Sequence, residues 1–366
     1  MARLSAVVVL STLGFVAHSS PVSAQEKSET APKPRPVPSL KVGDSAPPLK
    51  VTKWLRGQEV KAFEPGKVYV VEFWATWCGP CIACMPHLSS LQAEYEDKNV
   101  TVIGFTSRDL LGKPDHSEKA VADFVHGRGK GFQYTFAYAD DGATAEEWMV
   151  AAGREGIPCT FVVDKAGKIA DIGHPMYLPA VLPKVVAGKA TAVEVGAEMA
   201  TIRAEFGTIS GLVFSDPKAS LRALKAFESE HPTLADFLVS AKVKLSLLPK
   251  HGEAGEAKDY AEALVARAVG RKDAQALGMT SALLRRGDGR ESPELLAIAV
   301  KAAEAVLIID GGKDARSLID LADAHFVSGD KAKAKKYALL AKAAAGPEDA
   351  RFKEEIDKEA GRLGAE

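Results

Sequence analysis

Cysteine is scarce in this sequence, at four residues in 366. Small secreted scaffolds that rely on disulfides in place of a core carry many more, so that class is excluded. Neither sign of charge is in excess: 47 Lys and Arg stand against 48 Asp and Glu, a formal net charge of −1. No global field draws the chain to nucleic acid or anionic lipid, and any partner has to be recognised locally. Long apolar runs are also missing. The run near the start, Leu4 to Val16, has thirteen residues against the ~20 that a spanning helix needs, and no later segment is apolar enough to cross a bilayer. Two further absences bear on chemistry. No Gly-rich loop follows a strand to cradle a phosphate, and no His-rich cluster offers ligands, so neither an organic cofactor nor a metal is expected.

What is present begins with an export signal. Arg3, the apolar stretch after it and the small residues Val22, Ser23 and Ala24 make residues 1–24 a signal peptide cleaved after Ala24, with an uncleaved anchor as the alternative. The mature protein is then periplasmic or secreted. Residues 25–39 are polar and Pro-rich and read as a linker. From 40 to 190 apolar strands alternate with helices: "KVYVVEFWA", a helix from Pro80 to about Asp97, "NVTVIGFTS", a helix near Ser117 to His126, then the pair "CTFVVDKAG" and "KIADIG". That alternation predicts an α/β domain with a central mixed sheet flanked by helices. All four Trp and all four Cys precede residue 196, and residues 196–366 are rich in Ala, Leu, Lys and Glu. Apolar residues recur there at helical spacing, as in Leu221, Leu224 and Phe227, predicting an all-α domain of about eight short helices. Leu321, Ala322, His325, Gly329, Ala334, Ala338, Ala341 and Pro347 resemble the packing positions of a tetratricopeptide repeat, with a plain helical bundle as the alternative. Either form could dock a protein partner.

Three of the four thiols, Cys78, Cys81 and Cys84, fall within seven positions in "VVEFWATWCGPCIACMPHL", and the fourth is Cys159. Cys78 and Cys81 enclose Gly79 and Pro80 between an apolar strand and a helix, and Pro suits the first helical turn. Cys78 then sits at the helix N-terminus, where free amides and the positive dipole end stabilise a thiolate, and Cys81 lies deeper in the first turn. Such a pair exchanges with disulfides: Cys78 attacks, a mixed disulfide forms, and Cys81 resolves it. A permanent disulfide or half of a metal site is the bland alternative, but no second CxxC at zinc spacing accompanies it.

"FWATWCGPC", then Pro86 five residues beyond Cys81, then "GREGIPCTFVVDKAGKI" resemble the thioredoxin-fold proteins, and among them the extracytoplasmic redoxins of the TlpA/ResA type, over about Val42 to Lys189. The resemblance implies thiol–disulfide oxidoreductase activity with the Cys78–Cys81 disulfide as the redox group and no other cofactor. It implies that Pro158 is cis and faces the active-site sulfurs, that the backbone of Ile157 pairs with the substrate chain, and that Glu72 is a buried proton acceptor for Cys81. A Glu at the wet end of its strand is the alternative for that last residue. Trp77, Gly79 and Pro80 are expected on the rim of the substrate groove.

Two positions depart from the family pattern. Cys84 stands where the TlpA/ResA type commonly has a Glu, and Cys159 follows Pro158. They are candidate accessory thiols, forming a shuttle pair, or else buried packing residues. The expectation is an exported reductase of protein disulfides, with a membrane thiol transporter as the family's usual electron donor and the helical domain docking a protein partner. The rival readings are a non-catalytic adaptor and a thiol peroxidase.

Overall fold

The computed structural model describes residues 38–108, 110, 117–127, 132–234, 238–253, 255–345 and 350–365. The signal segment, all but the last two residues of the linker, and Pro347 lie outside the described residues. No described helix is long and apolar enough to cross a membrane.

The sheet has the order β1-β4-β3-β2-β5-β6, with β1 at Lys53–Arg56, β2 at Val68–Phe73, β3 at Val100–Ser107, β4 at Thr135–Ala139, β5 at Cys159–Val163 and β6 at Ile169–Gly173. β2 pairs with β3 in parallel and with β5 antiparallel, which makes the sheet mixed. All six residues of β2 are buried, the mark of a strand covered on both faces. In the β5–β6 hairpin the Asp164 carboxylate accepts the N–H groups of Ala166 and Lys168, and Gly167 supplies the positive φ of the turn. β1 and β4 carry no assignment in the sequence reading. β1 is a four-residue edge strand, too short to show an alternation, and β4 is a short run, buried throughout, that periodicity alone does not tell from a helix.

Helices α1 (Gly79–Tyr95) and α2 (Glu118–Gly127) fall close to their predicted spans. A short α3 (Ala143–Ala145) runs on into a π turn at Glu146–Val150. α4 (Leu178–Ala187) ends at Gly188, whose left-handed φ closes the helix.

The boundary expected between 190 and 196 falls inside the first turns of α5 (Ala192–Ser215). This helix starts on a capping box in which Thr191 and Glu194 satisfy each other's backbone N–H. Val195, Met199, Ile202, Phe206 and Ile209 of α5 belong to the hydrophobic core of the sheet, and so do Leu224 and Phe227 of α6 (Pro217–Glu230) and Leu234 beyond it. The first two helices after the boundary therefore complete the sheet's own core. Past them, α7 (Leu238–His251), α8 (Glu256–Gly270), α9 (Ala274–Arg285) and α10 (Pro293–Ile309) enclose a second core around Leu245, Leu264, Leu277 and Ala299. α11 (Ala315–Val327), α12 (Lys331–Ala344) and α13 (Ala350–Arg362) close a third, made largely of Ala. Ala334, Ala338 and Ala341 are fully buried, so the small residues lie where two helices approach each other.

Candidate active site

The loop that leaves β2 sets up the first sulfur. Trp74 and Ala75 are buried and anchor the turn, the Cys78 N–H donates to the Ala75 carbonyl, and Pro80 occupies the first turn of α1. Cys78 is the N-cap of α1, and its sulfur accepts the Cys81 N–H at 3.2 Å. Cys78 and Cys81 are joined as a disulfide, with their Cα atoms 5.3 Å apart. Cys81 is fully buried, whereas Gly79, Pro80 and Trp77 around Cys78 are exposed. The arrangement chemically favours Cys78: an amide donor aimed at its sulfur and the helix N-terminus behind it both stabilise a thiolate on reduction.

Beneath α1, Glu72 sits in the middle of the sheet, opposite Gly104 of β3 and Thr160 of β5. Its side chain is fully buried, which removes the alternative of a Glu at the strand's wet end. The Tyr134 hydroxyl donates to Oε2 at 3.3 Å, and Oε1 has no hydrogen-bond partner. Burial pushes the Glu72 carboxyl up to about 8, with the Tyr134 hydrogen bond opposing that shift. Gly104 makes the contact geometrically feasible: a Cβ there would lie 3.1 Å from the rings of Phe136 and Tyr134. A lone Gly inside "NVTVIGFTS" was the available signal of a close approach, but Tyr134 itself carried none.

The accessory thiols are free and have different surroundings. Cys84, buried on α1, is pushed up to about 12 by burial and next by the charge of Glu72. Cys159 is also pushed up to about 12, by burial first, in the neighbourhood of Arg154, Asp171 and Arg203. Neither offers a thiolate near neutral pH.

The Ile157–Pro158 peptide is cis. Pro158 is buried, Ile157 half-buried, and Gly153 to Gly156 before them are exposed. β5 starts directly after Pro158, and its first residue, Cys159, is paired with Phe73 at the end of the strand that leads into the disulfide loop. The sheet register thus holds the cis proline and the disulfide loop at the same end of two adjacent strands. His87, read from sequence as a residue of the helix surface, is half-buried and lies within electrostatic reach of Arg271 and Asp273 in the α8–α9 turn. The helical region therefore approaches the redox helix itself, which no sequence pattern announced.

A mixed sheet with a redox-capable CxxC pair at the start of a helix and a cis proline on the adjacent strand defines a thioredoxin-like protein. The Redoxin family model matches residues 41–176, a span that contains every candidate site residue. Protein FixW of Rhizobium leguminosarum is 35% identical over 150 residues, 41% of this chain and 68% of that protein. The thiol-disulfide oxidoreductase ResA of Bacillus cereus (strain ATCC 10987 / NRS 248) is 31% identical over 170 residues, 46% of this chain and 83% of its own. The thiol:disulfide interchange protein HelX of Rhodobacter capsulatus is 31% identical over 141 residues, 37% of this chain and 69% of its own. The chain belongs to the redoxin family and is a thiol–disulfide oxidoreductase of thioredoxin-like fold. Its helical region lies beyond the residues that the family model matches.

Proposed function

We propose that this protein is exported and reduces disulfides in protein substrates through Cys78 and Cys81. The observation that carries this reading is the Cys78–Cys81 pair at the N-terminus of α1, with the Cys81 amide donating to the Cys78 sulfur. In the reduced protein the Cys78 thiolate attacks one sulfur of the substrate disulfide, that bond breaks, and one substrate thiolate leaves. Glu72 then takes the proton of the Cys81 thiol. The Cys81 thiolate attacks the Cys78 sulfur, the mixed disulfide breaks, and the second substrate thiolate leaves with the Cys78–Cys81 bond restored. Ile157 and Pro158 present backbone to the substrate chain, with Trp77, Gly79 and Pro80 as the opposite rim. A dithiol donor outside the membrane, in the family pattern a membrane thiol transporter, returns the pair to the reduced state. The helical region docks the protein partner, a reading supported by its approach to α1 at His87. Cys84 and Cys159 act as packing residues, consistent with their burial and raised pKa values.

The test is a Cys81→Ser variant expressed with its signal in a bacterial host. Mixed disulfides with extracytoplasmic proteins, absent in Cys78→Ser/Cys81→Ser, are the expected result. A variant that traps nothing, together with a wild type that fails to reduce insulin with a dithiol donor, would leave the adaptor reading standing.

A further inference from the structure

Beside the cis peptide lies a cavity of about 390 Å³, walled by the loop before Pro158, by the end of β6 and by one residue of α5. We propose that this cavity is a substrate subsite that selects a carboxylate-bearing side chain next to the target disulfide, read by Arg154 and Arg203. The inference rests on the disulfide-exchange reading above and adds a substrate class to it.

Placement comes first. Pro158 and Cys159 line the cavity, and Cys159 is paired with Phe73, at the end of the strand that leads into the Cys78 loop. A polypeptide whose disulfide reaches Cys78 runs past this wall, and the volume accommodates a side chain with its neighbouring backbone. The chemistry comes second. Arg203 is not a loose surface cation: its Nη2 donates to both oxygens of Asp171, at 2.6 and 2.5 Å, and its guanidinium lies 5.0 Å from the Tyr177 ring centre. Gly173 is what lets it lie there, because a Cβ at that position would sit 2.5 Å from Arg203 Nη2. Asp171 is 1% exposed and sits behind the guanidinium, in the sheet, so a ligand entering the cavity meets the arginine and not its counterion. On the other wall Arg154 is exposed and anchored through its Nη2 on the Ile172 carbonyl at 3.2 Å. The remaining ionisable lining groups are Glu155, His174, Cys159 and Tyr177, and burial pushes the last two up, so they stay neutral. Burial pulls His174 down to about 4, so it is neutral at physiological pH and its Nδ1 accepts the Met176 N–H. Glu155 is an exposed residue of the loop. Asp171 offsets the charge of Arg203 and Glu155 that of Arg154, so the preference for a carboxylate rests on the N–H donors of two anchored guanidinium forks, whose planar geometry suits that group.

Among the described residues, Arg203 is also the only one from the helical region that lines the cavity. The region past residue 190 thereby helps to choose the substrate at the cleft itself, apart from any docking on its outer helices.

The test uses the whole mature chain and three synthetic disulfide-bonded peptides that differ only in carrying Glu, Gln or Lys beside the attacked cysteine. At low salt the Glu peptide should exceed the Gln peptide in kcat/KM by about fivefold, the scale of a well-placed but partly solvated ion pair, with Lys the poorest. Added salt should compress the series. Arg154→Gln should cut the Glu preference at least by half. Arg203→Gln should do the same, read only if its circular dichroism matches that of the wild type, since it also strands Asp171. Equal turnover of the three peptides by the wild type, or an unchanged preference in Arg154→Gln, overturns the subsite while leaving disulfide exchange intact. Failure to turn over any peptide or a small aromatic disulfide overturns the exchange reading, and the subsite falls with it.

Discussion

The core under the disulfide and the core of the last three helices are built from different residues. The first is filled by Trp74, Trp148, Phe73, Phe105, Phe136 and Phe161, with ring centres 5–6 Å apart in several pairs, such as 5.1 Å for Trp148 and Phe161. The second is closed by Ala315, Ala322, Ala338, Ala341 and Ala360. Large rings exclude water over a wide area, and that is the environment in which Glu72 keeps its proton up to about 8. Alanine seams let helices approach closely but bury little surface per residue, so stability there is spread thin over many contacts. The sheet region thus perturbs a few groups strongly, and the far helices hold together through many small contacts. Between them, α5 and α6 carry Phe206 and Phe227 into the first core.

The sharpest break between the regions concerns turnover. Cys78→Ser or Cys81→Ser should lower the rate of protein-disulfide reduction by at least about a thousandfold, since each removes a partner that the other needs and such losses are not additive. The double variant should be no worse than either single one, which a coupled insulin-reduction assay measures.

Phe227→Ala tests whether α6 belongs to the sheet. Phe227 is fully buried and packs against Phe206 at 5.4 Å between ring centres. Truncating such a ring costs about 3–5 kcal/mol. The loss should appear in the urea transition that melts the sheet aromatics, followed by tryptophan fluorescence, because all four Trp precede residue 196. A variant that leaves that transition unmoved and destabilises only helical signal would put the boundary back near 190.

Glu72→Gln separates the regions by pH. Below about 4.5, the ordinary value, both folded and unfolded chains hold the proton; between there and about 8 only the folded chain does. Wild-type stability therefore falls as pH rises through that window, by an amount on the order of a few kcal/mol, and levels off above it. The Gln variant should lack this slope in chemical denaturation at pH 5, 7 and 9. In kinetics, the resolution step of the wild type should speed up as pH rises toward about 8, and the variant should lose that rise.

What was legible in the sequence follows the same division. "FWATWCGPC" specifies chemistry through residues that are adjacent in the chain, and the thiol pair and its helix stand where local rules put them, whereas the cis form of Pro158 was legible only through the family resemblance. Glu72, its burial and the upward shift that burial brings were within reach of the resemblance, but its hydrogen-bond partner Tyr134, sixty-two positions away, was not. Arg203 was invisible for a similar reason: it is the single basic residue of α5, but nothing near it in the chain says what it faces, and only the pairing with Asp171 brings it to the cleft. The domain boundary read from composition marked where cysteine and tryptophan stop, whereas the core stops only after Leu234.

Ala338→Leu is the mildest probe, and it tests the other half of the comparison. Ala338 is fully buried in the third core with Ala341 and Ala322. Added methylenes at such a seam force the helices apart at a cost of about 1–3 kcal/mol. The strain should stay local, because nearest-neighbour packing passes it only to adjoining helices. Thermal melting should therefore show a lowered helical transition, while the rate of exchange with a small disulfide and the pH profile governed by Glu72 remain those of the wild type. If the same substitution slows exchange with a small disulfide, the far helices are coupled to α1 through the helices between them, and the two cores behave as one.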